Sequence, residues 1–331
     1  MIKKIIKKIP GYVNLIQFYN RIKLEKDFKR DKSFFLKHYM YSKPITKEKL
    51  QYEILFEIHK LEKGFSVINP RPFGIDKIKK IIFNLTEYKK NNYEIDFEYN
   101  LAYSALHEYL KLYEEKKWID REEYHLVKDF LRDKPSFNKI PVGAFDYYKK
   151  DFINDTKIDY DKFISSRRSI RNFSSKKLDE KDIIKAINMS IKTPTACNRQ
   201  MCKIYYIESE KNKKIIEKYG QGLGLFDLKN ANYFVITFDI SANYFIGERN
   251  QGWFNAGLVT MNFVNALHSL GIGSCCIQFG NSFKEEIDFK KYLNIKESER
   301  IAVIITCGYY DNVMRIPYSS RKPIYDVYSK R

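Results

Sequence analysis

Near the middle of the chain, the stretch SSRRSIRNF places three arginines around one serine: Arg167, Arg168, Ser169 and Arg171. A guanidinium presents forked N–H donors that match phosphate oxygens, and a serine hydroxyl adds one more hydrogen bond. Taken alone, the stretch is more typical of a solvated basic turn, and an anion site is the alternative. No GxxxxGKS or GxGxxG phosphate loop is present, and GQGLGLF at residues 220–226 is only a partial match.

A second polar cluster, PTACNRQ at residues 194–200, follows an amphipathic helical pattern. Cys197 could be a nucleophile only with a nearby base and a lowered pKa. No Cys–His pairing can be inferred, because His268 falls in an apolar helix and is expected to be a packed core histidine. We therefore predict that Cys197 is a packing residue rather than a nucleophile. His59 and Glu62 have a spacing usable by a metal, but no second pair completes a site, so no metal is predicted.

The order and spacing of four stretches between about residues 163 and 328 resemble the FMN-dependent nitroreductase family. Arg167–Phe173 resembles its RRSxRxF element and Thr193–Gln200 its APSxxNxQ element. Ala266–Gly273 resembles the ALxxLGxG end of a long helix. Residues 319–323 resemble a closing SxRxP element, with Ser319 or Ser320 in its first position. The forms ACNRQ, ERNQ and HKLEKGFS…RPFG are similar to a subgroup with a helical N-terminal extension, often associated with bacterial surface-polysaccharide biosynthesis.

The resemblance implies a homodimer with FMN at the subunit interface and no catalytic side chain of its own. Arg167, Ser169 and Arg321 would hold the FMN phosphate, and Arg171 would lie near the pyrimidine edge of the flavin ring. Thr195, Ala196 and Asn198 would reach the flavin of the partner subunit. The complete set of implied cofactor-binding residues is Arg167, Arg168, Ser169, Arg171, Thr195, Ala196, Asn198, Gln221, Cys276, Ile277, Gln278 and Arg321.

Two positions depart from the family pattern. Family members often have proline where Cys276 stands, and proline followed by an aromatic residue where Met201 and Cys202 stand. The departure at Cys276 concerns how tightly the flavin ring is held. The departure at Met201 and Cys202 concerns the floor of the substrate pocket.

The elements that must position these residues fall into two parts. Residues 1–150 have helical apolar periodicity, as in the helix predicted from the N-cap Thr46 to the C-cap Gly64. Residues 134–160 mix Pro, Gly, Asn and Asp and form the best linker candidate. In residues 151–331, helices alternate with short apolar strands such as ANYFVITFDI and RIAVIITCGYY. The expected fold class is α+β, a mixed and mainly antiparallel sheet flanked by helices, preceded by a helical N-terminal domain or extension.

Composition limits the partners and the location. The net charge is +19 in 331 residues, but the lysines are spread along the chain and no nucleic-acid recognition motif accompanies them. Five cysteines, an odd number, are not a disulfide framework and fit a reducing cytoplasm. No apolar run is long enough for a membrane span. Residues 2–9 form a short basic amphipathic stretch, expected to dock on the protein's own body, with weak peripheral membrane contact as the alternative.

The resemblance implies a flavoprotein oxidoreductase, and the cysteine content favours a cytoplasmic location. NAD(P)H would reduce FMN and then be replaced by an organic acceptor of nitro, quinone or enone type, with ping-pong kinetics. The alternative is a non-catalytic or accessory flavin-fold protein of envelope-polysaccharide biosynthesis that acts through its basic helical region.

Overall fold

The computed structural model describes residues 12–67, 69–133, 136–145, 158–225, 228–312, 314, 321 and 323–331. The N-terminal part is helical, as predicted, and no strand occurs in its described residues. Its helices are α1 Tyr12–His38, α2 Lys47–Phe65, α3 Ile75–Lys90, α4 Phe97–Glu115 and α5 Glu122–Phe130.

Helix α2 begins where the sequence predicts and ends later. The hydroxyl of Thr46 accepts a hydrogen bond from the amide of Lys49, which confirms the N-cap. The C-cap prediction at Gly64 is wrong, since the helix continues to Phe65 and the cap is Ser66. A Cβ at position 64 would lie 2.2 Å from Cε2 of Phe73. The glycine therefore serves close packing rather than termination of the helix.

Helices α2 to α5 enclose a hydrophobic core of their own. Leu61, Ile78 and Leu106 are almost completely buried in it. The hydroxyl of Tyr113 accepts a hydrogen bond from the amide of Phe73 at 2.8 Å, and the Tyr109 hydroxyl donates to the carbonyl of the same residue. These hydrogen bonds fix Phe73, in the RPFG part of the KGFS…RPFG segment, against helix α4.

The C-terminal part alternates helices with strands, as predicted. Its helices are α6 Tyr160–Ser166, α7 Glu180–Ser190, α8 Glu210–Tyr219, α9 Gln251–Ser269 and α10 Phe283–Tyr292. Its strands are β1 Cys202–Ile207, β2 Asn232–Asp239, β3 Ile272–Ile277 and β4 Glu299–Tyr309. The strands form one antiparallel sheet in the order β1-β2-β4-β3. An isolated parallel bridge between Ser169 and Ser274 makes the pairing mixed.

Side chains of β2 alternate between the two faces of the sheet, because successive residues of a strand point in opposite directions. Phe234 and Phe238 pack on one face with α7 and α9, where Ala186 and Phe263 are buried. Tyr233 and its neighbours pack on the other face, against α8 and α10. Each face of the sheet is therefore covered by helices, and the site must lie at an edge or an end of the sheet.

The N-terminal helices also contact the sheet region. Phe34 and Phe35 of α1 are buried in the same cluster as Phe238. Arg300 of β4 lies 3.0 Å from the carboxylate of Asp31, and Lys296 lies 2.6 Å from Glu48 of α2. The predicted domain boundary near residue 150 falls in residues 146–157, outside the described residues, and stays a prediction.

Glycines of β3 and β4 let the arginine-rich segment approach the sheet. A Cβ at Gly273 would lie 2.9 Å from Cβ of Ile170, and one at Gly308 would lie 2.6 Å from Cβ of Phe173. Ile170 and Phe173 are themselves buried. The position of Arg167 to Phe173 therefore depends on the absence of side chains on the neighbouring strands.

We expect Gly273→Ala to displace the segment that carries the arginines. Because Cβ of Ile170 is next to the backbone and cannot rotate away, the added methyl group must push the chain. The free energy of unfolding should fall by about 1–3 kcal/mol, measured by urea denaturation. The control is Gly247→Ala, where a Cβ would meet nothing within 4 Å. Equal stabilities of the two variants would contradict this account of the contact.

Candidate functional site

The arginine-rich segment runs beside β3, an edge strand of the sheet. Helix α6 ends at Ser166, and the chain then becomes extended. The amide of Ile170 donates to the carbonyl oxygen of Ser274 at 3.0 Å. This single bridge places Arg167 and Arg171 on either side of Ser169, next to β3.

The three arginines of this segment have different surroundings. Arg167 is half-buried, and among the described residues its buried Nε has no hydrogen-bond acceptor. Arg168 is exposed and donates to backbone carbonyls of Ser165 and Arg167. Arg171 donates to the carbonyl of Ser169 at 3.4 Å. A buried donor without an acceptor is costly, so Arg167 is the arginine best prepared to receive an anion.

Gln221 joins the end of β3 at the same edge. Its amide N–H donates to the carbonyl of Gln278 at 3.1 Å, and its side chain donates to the carbonyl of Gly280 at 2.9 Å. Cys276 and Gln278 are exposed, whereas Ile277 is buried. The positive charges of Arg171 and Arg167 act on the neighbouring Cys275, although burial dominates and raises the pKa of that thiol. The structure thus brings seven predicted residues to one edge: Arg167, Ser169, Arg171, Gln221, Cys276, Ile277 and Gln278.

His268 also lies at this edge, which its place in an apolar helix did not indicate. Its Nε2 lies 2.8 Å from Oγ of Ser166, and its Nδ1 lies 2.6 Å from the hydroxyl of Tyr310. Burial lowers the pKa of His268, and the charge of Arg167 lowers it further. A neutral imidazole here ties the end of α6 to α9 and to the end of β4. Its partners are 102 and 42 residues away in sequence, so no local pattern could reveal it.

The PTACNRQ segment lies at the opposite edge of the sheet, immediately before β1. Ala196–Asn198 forms a 3₁₀ turn. Thr195 and Ala196 are half-buried, Asn198 is exposed, and the hydroxyl of Thr195 accepts from the amide of Gln200 at 3.0 Å. With three strand spacings of about 4.8 Å between β1 and β3, the two edges are roughly 14 Å apart. One chain alone therefore does not bring Thr195, Ala196 and Asn198 to Arg167.

A small cavity of about 180 Å³ lies beside Thr195. Cys202 lines it, whereas Met201 is fully buried in the core, so only one of the two departures from the family pattern reaches this space. The cavity is lined by Ile187, Ser190, Ile191, Thr193, Thr195, Gln200, Cys202, Ile204 and Val259.

Arg199 is the residue of PTACNRQ that the sequence reasoning missed. Its side chain is fully buried, and its two terminal nitrogens each lie 2.7 Å from a carboxylate oxygen of Glu248. Glu248 belongs to the ERNQ stretch, so the pair connects two of the motifs. Burial raises the pKa of Glu248, but hydrogen bonds from Arg199 and from the amide of Tyr244 outweigh it and lower the pKa overall.

Three predictions about the two ends of the chain stay untested. Arg321 is exposed, and Ser319 and Ser320 lie outside the described residues, so their role in phosphate binding stays a prediction. Residues 2–9 also lie outside the described residues. Within the described chain, His, Cys, Asp and Glu form no group of three or more that could hold a metal ion. Every helix among the described residues is too short or too polar to span a bilayer.

The resemblance is confirmed for the C-terminal part of the chain. Residues 164–225 and 224–309 match the model of the Nitroreductase family. This part has the nitroreductase fold, with the sheet flanked by helices, and the helical N-terminal region precedes it.

Solved structures similar to the chain include nitroreductases from two bacteria. A nitroreductase family protein from Streptococcus pneumoniae TIGR4 is 24% identical, with 52% of this chain and 100% of that chain covered and a TM-score of 0.45. An FMN-dependent nitroreductase from Clostridium difficile R20291 is 22% identical, with 51% and 98% covered and a TM-score of 0.41. A comparison with curated proteins gave no significant match.

We expect Glu248→Gln to destabilise the fold at neutral pH by about 3 kcal/mol, because it leaves the Arg199 guanidinium buried without a counter-charge. The folded-state pKa of Glu248 is lowered, so its contribution is present above the unfolded-state pKa of about 4.3 and is lost as the pH falls through the folded-state value. Urea denaturation of both proteins from pH 7 to pH 3 should show the difference shrinking below about pH 4. The exposed Glu115→Gln serves as control, and a difference independent of pH would contradict the assignment.

Proposed function

We propose that the protein is an FMN-dependent oxidoreductase. The observation that carries the proposal is the half-buried Arg167, whose buried Nε has no acceptor among the described residues, beside the edge of β3. The family-model match over residues 164–309 covers this segment and all of β3. FMN carries both an anionic phosphate, which would bind Arg167, and a planar ring, which would lie along β3.

The residues at this edge fit the parts of FMN. Arg167 and Ser169, with Arg321, would hold the phosphate through charge-assisted hydrogen bonds. Arg171 would place a cation beside the ring, where it stabilises negative charge. Gly222 has φ +89°, and a Cβ there would meet nothing within 4 Å, so the backbone next to Gln221 leaves open space. When bound, FMN would accept a hydride from a donor and pass reducing equivalents to an acceptor.

The chain itself would bind, orient and shield. An edge strand offers backbone N–H and C=O groups on its outer side. Beyond Ser274, the only outer bridge to β3 or its continuation in the described residues is that of Gln221 with Gln278. Backbone groups from Cys276 to Gln278 would therefore meet the ring edge. The neutral His268 and the buried thiol of Cys275 are poor proton donors at pH 7, in agreement with chemistry carried by the cofactor.

We further propose that the site is completed by a second copy of the chain. Helix α9 exposes Phe254, Leu258 and Met261, which recur at three- and four-residue spacing and form one apolar stripe. Ile184 of the adjacent α7 and Ile191, directly after that helix, are also exposed. A C2 interface on this surface would bury the stripe against its copy. It would also allow Thr195, Ala196 and Asn198 to reach the partner's cofactor.

NAD(P)H as reductant and a small organic acceptor of nitro, quinone or enone type complete the proposal, with ping-pong exchange at one face of the flavin. A cytoplasmic location and a place in surface-polysaccharide biosynthesis rest on the cysteine content and on the resemblance to the subgroup. The accessory alternative would keep flavin binding without turnover. Anaerobic addition of NADH or NADPH distinguishes the two, because only the enzyme would bleach the flavin absorption.

We expect Arg167→Ala to raise the dissociation constant for FMN by about 10- to 100-fold, the loss of one or two charge-assisted hydrogen bonds to phosphate. The measurement is a titration of FMN fluorescence quenching with apoprotein. The matched control is Arg132→Ala, because that arginine is exposed and pairs only with Asp129 among the described residues. Unchanged affinity in Arg167→Ala would refute the phosphate site, and absence of FMN binding by the wild type would refute the proposed function.

We expect Phe254→Glu to convert a dimer into monomers, because a carboxylate in the apolar stripe must be desolvated when two copies meet. Light scattering after gel filtration measures the mass, and the same samples should bind FMN more weakly. Phe83→Glu, at an exposed phenylalanine of α3, is the control and should leave the mass unchanged. A dimer that persists in Phe254→Glu would place the interface elsewhere.

A further inference from the structure

The loop from Thr195 to Gln200 has a backbone that its own residues do not favour. Cys197, Asn198 and Gln200 have φ of 51°, 51° and 50°, in the left-handed region, and none is glycine. Residues with a Cβ occupy this region only where the surrounding structure holds them there. The hydrogen bond from the Gln200 amide to Thr195 ties the ends of the loop together but does not fix its place on the protein.

Arg199 anchors the loop from within. Its Nε donates to the carbonyl of Ala196 at 2.9 Å, and its terminal nitrogens bind Glu248 and the carbonyl of Ala242. The guanidinium carbon lies 5.6 Å from the ring centre of Phe56, which belongs to α2 of the N-terminal helical region. A cation over an aromatic face is attracted by it, more strongly when both are buried.

Phe56 is itself part of a packed cluster that the loop shares. Its ring stacks on Tyr244 with centroids 4.6 Å apart. Met40 is buried in the same cluster, and Cys197 packs against it. The loop therefore lies on a surface that α2 and the chain after α1 provide.

A second connection runs beside this apolar contact: a series of polar side-chain contacts from Glu57 to Glu248, called the polar chain below. The buried carboxylate of Glu57, next to Phe56 on α2, lies 3.1 Å from Nζ of Lys80. Lys80 donates to the hydroxyl of Tyr244 at 3.0 Å, and the amide of Tyr244 donates to Glu248 at 2.6 Å. Since Glu248 holds Arg199, helices α2 and α3 reach the loop by two routes.

We propose that the N-terminal helical region is a positioning element of the cofactor site. Phe56 and Glu57 of α2 hold the Thr195–Gln200 loop in the shape in which Thr195 and Asn198 contact the flavin of the partner subunit. The proposal rests on the proposed function and assigns the helical region a role at the site without contact with the cofactor. Phe56 and Glu57 act through Arg199 and Glu248 and are therefore positioning residues.

The test compares two phenylalanines of α2 in the full-length protein. Phe56→Ala removes the ring under Arg199, whereas the control Phe65→Ala removes a ring that packs on Phe73 and Tyr109 inside the helical core. Hydrogen–deuterium exchange of a peptide spanning residues 193–201 is measured on apoprotein, and FMN affinity by fluorescence titration. We expect Phe56→Ala to speed exchange at the Gln200 amide and to raise the FMN dissociation constant about tenfold. Phe65→Ala should lower the melting temperature and change neither quantity.

A second variant keeps the proposal testable if Phe56→Ala does not fold. Lys80→Met breaks the polar chain at a side chain that is 44% exposed, and should raise both quantities less, about threefold for the dissociation constant. Phe56→Tyr keeps the ring and should restore both values.

The positioning role is overturned if residues 193–201 of Phe56→Ala exchange at the wild-type rate. It is also overturned if they exchange faster while the affinity for FMN stays unchanged. Failure of the wild type to bind FMN refutes the proposed function instead, and the exchange data still decide whether α2 holds the loop.

Discussion

A fully buried guanidinium must be paired, and at Arg199 this requirement organises much of the molecule. The carboxylate that meets it, Glu248, lies in a 3₁₀ turn just before α9 and is also held by the amide of Tyr244. The aromatic ring beneath it comes from α2. One ion pair thus fixes the loop that enters β1, the turn that begins α9 and a helix of the N-terminal region relative to one another. Removing either charge would leave the other buried without compensation.

Local patterns predicted the elements of this protein well, because strand alternation and helical periodicity are properties of short stretches. β2 and β4 were found as apolar runs, and α2 was found from Thr46 onward. Gly64 was misassigned because a glycine near the end of a helix predicts a cap, whereas here Phe73, nine residues later, requires the space. The motif order likewise indicated which residues meet at the edge of β3. Arg199 was not predicted as a site residue, and His268 was expected only to pack in the core. The side chains that define their roles lie 42 residues or more away, and no spacing rule connects them.

The strand order explains why half of the expected site is missing from one chain. Arg167 and Gln278 adjoin β3, and Thr195 adjoins β1, at opposite ends of the order β1-β2-β4-β3. Residues at opposite edges of a sheet cannot share a small ligand within one copy. They can do so between two copies related by a twofold axis, with each edge serving a different site. The exposed apolar stripe on α9 is a surface on which two copies could meet.

The packing of α1 on the sheet has a consequence for how the chain folds. Phe34 lies beside Phe283, and Asp31 pairs with Arg300, so the contacts of α1 close loops of about 250 residues or more. During synthesis α1 leaves the ribosome well before its partners on α10 and β4, which follow about 250 residues later. Its apolar side chains lack these partners during that interval, a period in which unpaired apolar surface favours aggregation. Helices α2 to α5, which enclose their own core, can fold during that time and offer α1 a partly formed neighbour.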